Sequence, residues 1–285
     1  MYYPILVAAC LALASCKKKN NGSTSTSETY PIKYKITAGI VDEASGIADS
    51  KLNAGHLWVQ EDSDSPSEIT LLTHKGVLVK KIPIRGIINR DWEDVTVAKG
   101  PNPALNYVYI GEIGDNNAVH PQCFFYRFPE PSKDATEVAS VETIPFRYPD
   151  GARDAEAFIV DPEKGDIYII TKRETQSRIY KLTAPYSTSS LNTLTQVGTL
   201  TYNGVVSAAI TPDGNGVAVK TYQQVYYYPR TAGEPLDVTL KKSPSNLKYE
   251  AETQGEAITF TNDNIGYFTL GERAITDVTL NYYKR

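Results

Sequence analysis

One phrase recurs along the chain at intervals that leave few folds open. Glu43-Ala-Ser-Gly-Ile-Ala, Glu93-Asp-Val-Thr-Val-Ala, Glu156-Ala-Phe-Ile-Val-Asp, Ser207-Ala-Ala-Ile-Thr-Pro and Glu256-Ala-Ile-Thr-Phe-Thr each read as the opening of a short strand. Each is followed by a turn and a second strand of aromatic or aliphatic character: HLWVQED, NYVYIGEIGD, DIYIITKRE, NGVAVKTYQ and NIGYFTLGE. The opening residues lie 50, 63, 51 and 49 positions apart, the spacing of four-stranded propeller blades. In the clearest copy, Arg153 to Leu182, alternation predicts strands over Ala155–Val160, Ile167–Thr171 and Arg178–Leu182, with Glu156 at the mouth of the first. The repeats therefore predict an all-β chain, a β-propeller of five four-stranded blades.

The fifth blade has only three strands of its own, at Ala257–Thr261, Gly266–Leu270 and Thr279–Tyr283. The alternating stretch Ile32–Val41 is expected to supply the fourth, closing the ring and removing an open sheet edge. A six-bladed alternative needs roughly forty more residues at the usual repeat length. With 285 residues, 41% of them hydrophobic, residues 32–285 suffice for one propeller domain. A net charge of −4 gives no reason to expect a nucleic-acid partner.

Residues 1–16, MYYPILVAACLALASC, are apolar and end in Leu13-Ala14-Ser15-Cys16. That ending resembles the lipobox of bacterial lipoproteins, which implies a signal peptide, lipidation of Cys16 and a membrane partner reached through the N-terminal lipid. The implied location is the cell envelope, on the periplasmic or surface face of the outer membrane. Residues 17–31 open with KKKNNGSTSTSET, too polar for a core, and read as a flexible tether. With Cys10 removed and Cys16 acylated, Cys123 is left alone, so no intrachain disulfide is available and strand pairing must hold a monomeric domain.

The chemistry is expected where the strand openers converge. A propeller gathers Glu43, Glu93, Glu156 and Glu256 round one axis, with Asp42, Asp91, Asp94 and Asp154 beside them. The ends of the second strands add Glu61, Asp62, Glu112, Asp115, Lys172, Arg173, Lys220, Glu272 and Arg273. Carboxylates packed round a narrow channel repel one another, so they require lysines and arginines, shared protons or a hard cation such as calcium. The candidate ligand-binding set is Glu43, Glu93, Glu156, Glu256, Lys172, Arg173, Lys220 and Trp92; the candidate metal set is Glu93, Glu112, Asp115 and Glu156. Each opening Glu has a second reading, as an acceptor for backbone amides at the strand entrance. The run Gly111-Glu112-Ile113-Gly114-Asp115-Asn116-Asn117 is either a calcium or polar-ligand loop or an Asx-type turn. Trp92 is either a stacking platform or a wedge between blades.

The phrases EASGIADS, NRDWEDVTV, YIGEIGDN, YRFPEP, RYPDGARDAEAFIVDPEKGDIYIITK and GEAITF resemble a widespread group of exported bacterial propeller proteins, over most of residues 41–272. Over about one blade, DAEAFIVDPEKGDIYIITKRE is similar to the calcium-dependent β-propeller phytases. That likeness implies calcium held by channel carboxylates and phosphate held between calcium and basic side chains; only Glu156 has a clear counterpart. The chain departs from it in having five blades rather than six, and in placing Lys172 and Arg173 where those enzymes carry acidic residues.

Other chemistries lack their residues. His56, His74 and His120 do not assemble a zinc site, and no nucleophile elbow, P-loop or dinucleotide fingerprint is present. Cys123, within QCFFYRF, reads as core. Two functions follow: a tethered module that binds a small polar ligand, a glycan or a protein at its charged rim, or a calcium-dependent phosphoesterase.

Overall fold

The computed structural model describes residues 1–2, 30–273 and 278–285; the lipobox with Cys16, and the tether as far as residue 29, lie outside the described residues. The fold is a five-bladed β-propeller. Blade one comprises Ala44–Asp49, His56–Glu61, Glu68–Thr73 and Leu78–Pro83, from the axis outwards. Blade two comprises Trp92–Lys99, Asn106–Glu112, Cys123–Pro129 and Glu142–Arg147. Blade three is Ala155–Val160, Ile167–Thr171, Arg178–Leu182 and Thr195–Thr199; blade four is Val205–Ile210, Gly216–Thr221, Val225–Pro229 and Ser245–Asn246. In blade five, Gly255–Phe260, Gly266–Gly271 and Thr279–Lys284 are completed by Ile32–Lys35, which pairs antiparallel with Thr279–Lys284. The N-terminal strand thus closes the ring, as the strand count requires.

The details depart from the repeats in two places. Blade two gains a fifth strand, because Asn192–Thr193 leaves the blade-three connection to pair in parallel with Phe146 and Arg147. A single helical turn, Leu236–Thr239, precedes the outer strand of blade four.

Alternation is a poor description of the inner strands. Ala44–Asp49, Ala155–Val160, Gly216–Thr221 and Gly255–Phe260 are buried at every position, because each sheet packs between two neighbours. Five apolar clusters fill the five blade junctions. Trp58, Trp92 and Phe128 lie between blades one and two, and Phe125, Phe146 and Phe158 between two and three. Tyr168, Ile170 and Val217 follow between three and four, Phe260 and Tyr267 between four and five, and Leu57, Phe268 and Leu280 between five and one. Each fully buried large side chain contributes about 1.5–3 kcal/mol, so the junctions supply the main cohesion of a ring whose one described cysteine, Cys123, is free and buried.

The first strands of neighbouring blades meet round the axis, and what fills that axis follows from one layer of side chains. Strand register aligns Gly46, Asp94, Ala157, Ser207 and Ala257. Four of these are Gly, Ala or Ser, so a single longer residue closes the channel. Asp94 reaches from blade two to blade four, where it accepts hydrogen bonds from the Ser207 hydroxyl and the Ala208 N–H at 3.2 Å each. It also accepts the Val95 N–H at 2.9 Å, while Ser207 Oγ accepts the Ile258 N–H of blade five at 3.4 Å. Blade one leaves room by having glycine there: a Cβ on Gly46 would stand 2.6 Å from the Val95 nitrogen. Burial pushes the Asp94 carboxyl well above its usual range, against the pull of the Ala208 and Val95 amides.

Asp94→Ala is expected to lower the unfolding free energy by about 2–3 kcal/mol, since it strands the Ala208 N–H in a dry channel. Chemical denaturation of the variant checks this; a midpoint equal to wild type would remove Asp94 from the account of the axis.

Candidate functional site

Immediately above the Asp94 layer, each innermost strand carries a β-bulge. Register slips between Ala44 and Gly46, Trp92 and Val95, Ala155 and Ala157, Val205 and Ser207, and Gly255 and Ala257. Such a bulge re-aims the extra side chain, and the bulged positions are Ser45, Glu93, Glu156, Val206 and Glu256. The pairing of Ala44 with Glu61, Trp92 with Glu112, Ala155 with Thr171, Val205 with Thr221 and Gly255 with Gly271 extends one step further towards the rim. That step sets Glu43, Asp154 and Gln254 opposite Asp62, Lys172 and Glu272, while in blade two the Asp91 carbonyl accepts the Gly114 N–H at 3.2 Å. Backbone bonds from Asp62 to Glu43, Lys172 to Asp154 and Glu272 to Gln254 confirm it. These positions therefore present seven carboxylates (Asp62, Asp91, Glu93, Asp154, Glu156, Glu256 and Glu272) and the Lys172 ammonium to a blind cup.

The deepest carboxylates are Glu93, Glu156 and Glu256, all buried. Glu93 accepts the Ser45 hydroxyl at 2.9 Å. Glu156 is ion-paired through Oε1 to the Lys172 ammonium, and Glu256 accepts the Tyr222 hydroxyl on its own Oε1. Oε2 of Glu156 and Oε2 of Glu256 are buried with no protein partner. One oxygen each from Glu93, Asp154 and Glu156 lie within 4.8 Å of one another, and so do those of Asp62, Asp91 and Glu93, and of Asp62, Glu256 and Glu272. The three groups share Glu93 and Asp62 and so form one connected acidic floor.

Burial first, and then like charge, raises these groups. Burial together with Asp62 and Asp154 lifts Asp91 to about 7; burial together with Glu256 lifts Glu272 to about 8. Glu93 is pushed well up by burial and then by Glu156, and Glu156 by burial against the opposing pull of Lys172.

The candidate residues read from the sequence divide by place. Glu93, Glu156, Glu256 and Lys172 meet in the cup, and Arg173 joins it from the rim, its Nε 2.5 Å from Asp154 Oδ2. Glu43 is exposed at the edge, and the position equivalent to the buried glutamates is Ser45, two residues on. Ser207, read as the blade-four opener, belongs to the layer below; Val206 holds the bulge. Lys220 lies outside the cup, fully buried in the wall between blades four and five. It donates to the Tyr249 hydroxyl at 2.9 Å and to the Gly255 carbonyl. Burial brings it down to about 8. Trp92 is fully buried among the apolar residues between blades one and two, a wedge with no exposed face.

Glu112 and Asp115 are committed to backbone. Glu112 accepts the Asp91 N–H at 2.7 Å and the Arg90 N–H at 3.1 Å, pinning the entrance of blade two. Glu61 does the same for the Asp42 N–H in blade one. Asp115 accepts the Val119 and His120 N–H groups at 2.9 and 2.7 Å, four and five residues on, and so closes the loop after its strand instead of forming an Asx turn. Conversely, Asp62, Asp91, Asp154 and Glu272 belong to the acidic groups, although the sequence reading put them at the rim without including them in the candidate binding or metal sets. The signal was present: Asp91 and Asp154 each precede a bulged Glu by two residues.

No protein-family model matches this sequence, and no curated protein matches it either. Among solved structures it is similar to propeller proteins. Hydrazine synthase of Kuenenia stuttgartiensis matches at 11% identity and a TM-score of 0.43, over 83% of this chain and 57% of that one. A luciferin-regenerating enzyme matches at 11% and 0.48, over 89% and 80%, and a nidogen/laminin complex at 9% and 0.47, over 81% and 73%.

The raised carboxyls carry a pH signature. Folded Asp91 and Glu272 keep protons that an unfolded chain loses near pH 4. Their contribution to stability therefore falls as pH rises from about 4 towards 7 and 8, and levels off above. With chelator present, the full chain is expected to melt several degrees lower at pH 8 than at pH 5.5, and Glu93→Gln with Glu156→Gln to flatten that slope. Thermal scans across this range decide it, and a wild-type melting temperature that climbs with pH would contradict the assignment.

Proposed function

We propose that the protein is an exported, lipid-anchored binding module whose cup takes a divalent cation and, with it, a polar ligand: a small molecule, a glycan or a segment of a partner protein. One observation carries the reading. Glu93, Asp154 and Glu156 bring oxygens within 4.8 Å of one another, while Glu156 and Glu256 each keep a buried oxygen that no protein group satisfies. Buried carboxylates without partners are costly, and a hard cation satisfies several at once. An all-oxygen donor set of irregular geometry suits calcium. Glu93, Asp154 and Glu156 would hold it, with Asp62, Asp91, Glu256 and Glu272 adjoining. When bound, the ion would supply positive charge and open coordination positions to an oxygen-bearing ligand.

Binding is favoured over phosphoester hydrolysis by the state of the basic residues. A phosphoesterase of the phytase kind needs cationic side chains free to take a phosphate. Here Arg173 is tied to Asp154, and Lys220 lies outside the cup, buried against the Gly255 carbonyl.

Millimolar calcium added to chelator-treated full chain is expected to raise the melting temperature, because a ligand bound only by the native state adds about 2.7 kcal/mol at a hundred times its Kd. Glu93→Gln with Glu156→Gln should abolish the shift. No shift in wild type would end the cation reading, and calcium-dependent release of phosphate from an ester panel would replace binding with catalysis. For the anchor, metabolic palmitate labelling is expected to mark wild type and not Cys16→Ala, which should leave the membrane fraction; equal partition of both would refute lipidation at Cys16.

A further inference from the structure

We propose that Lys172 is the cup's own counter-ion, a tethered ammonium that neutralises Glu156 until a divalent cation takes the site, and that it thereby sets the cation affinity. The inference rests on the cation reading above and adds a regulator to it.

The position itself is informative. The residue that follows the paired second strand is Asp62 in blade one, Ile113 in blade two, Tyr222 in blade four and Glu272 in blade five, so only blade three puts a positive charge there. The Lys172 ammonium is paired with Glu156 Oε1 and donates to the Tyr222 hydroxyl at 3.1 Å, lying 5.1 Å from the centre of that ring. Tyr222 in turn donates to Glu256 Oε1. A lysine and a tyrosine thus occupy one oxygen of Glu156 and of Glu256, and the other oxygen of each is left buried and unpartnered.

Glu156 also belongs to the group with Glu93 and Asp154, so the ammonium sits at the border of the proposed cation position. Its presence lowers cation affinity in two ways: it removes a ligand oxygen, and it sets a like charge beside the incoming ion. A divalent ion brings twice the charge to the same buried carboxylates. Lys172 has a flexible stem and retains 14% side-chain exposure, which gives the ammonium a path back to water. Arg173 cannot play this part as strongly, because its side chain is 51% exposed and water screens its pairing with Asp154. Ligand charge and number are the means by which calcium sites tune affinity, and here the tuning comes from a residue that competes with the ion instead of binding it.

The test combines calorimetry with labelling. Calcium chloride is titrated into full-length wild type, Lys172→Met and Tyr222→Phe at pH 7.5. In parallel, wild-type lysines are acetylated with and without saturating calcium and read by peptide mass spectrometry. Lys172→Met is expected to bind calcium at least about tenfold tighter, because one like charge a few ångströms from the ion costs more than a tenfold factor at an effective dielectric typical of proteins, and Tyr222→Phe tighter by less. Acetylation of wild-type Lys172 should accelerate several-fold in calcium, while exposed Lys33 stays unchanged. Should Lys172→Met fail to fold, the wild-type labelling decides alone. Calcium binding with unchanged Lys172 labelling, or with equal affinity in a folded Lys172→Met, overturns this inference and leaves the cation site standing; no calcium binding to any of the three proteins overturns both.

Discussion

Every blade of this protein must bury both faces, and from that constraint the rest follows. Two-sided burial leaves the inner strands buried at nearly every position and fixes each sheet between two others, and the sheets close into a ring. Closure needs an outer strand for the fifth blade, which Ile32–Lys35 supplies from the other end of the chain. Five blades bring their first strands close to the axis. At that distance a layer of Gly46, Ala157, Ser207 and Ala257 with one aspartate is enough to block the channel, and Asp94 turns it into a cup.

The bulges then decide the chemistry. An extra residue at the entrance of each innermost strand turns a side chain that would join a blade junction towards the axis. Where that residue is glutamate, in blades two, three and five, carboxylates meet in a place with little water. Burial first, and their mutual repulsion after it, raises the carboxyls of Asp91, Glu93, Glu156 and Glu272. Protons, the Lys172 ammonium and a divalent ion are three ways of meeting the same electrostatic demand, and they compete. A site built this way is sensitive to pH and to cations, and a neutral ring of serines would be neither.

The ring was legible in the sequence because its repeat is long and its phrases are alike, and because three strands at the C-terminal end call for a partner. Glu93, Glu156 and Glu256 were legible for the same reason. Register was harder. In blade one the acidic letter falls at Glu43, two residues before the bulge, and in blade four Val206 fills the position while Ser207 looks like the match. A one-residue bulge leaves no mark that distinguishes these by periodicity. Commitment was also hidden: Glu112 and Asp115 have the same chemistry as Glu93, yet backbone amides at a strand entrance and a turn absorb them. Lys220 shows the third limit, since a lysine at the end of a second strand can point into the wall as easily as into the cup. Residues 3–29 and 274–277 lie outside the described residues, so the anchor rests on sequence resemblance.

The central claim is that the acidic cup is a cation site, and anomalous diffraction from crystals of the full chain soaked in terbium chloride, a calcium surrogate, tests it most directly. The account predicts an anomalous peak bounded by Glu93, Asp154 and Glu156, with the Lys172 side chain turned away from Glu156. A cup without a peak, its Lys172–Glu156 pair intact while terbium decorates only surface carboxylates, would contradict it.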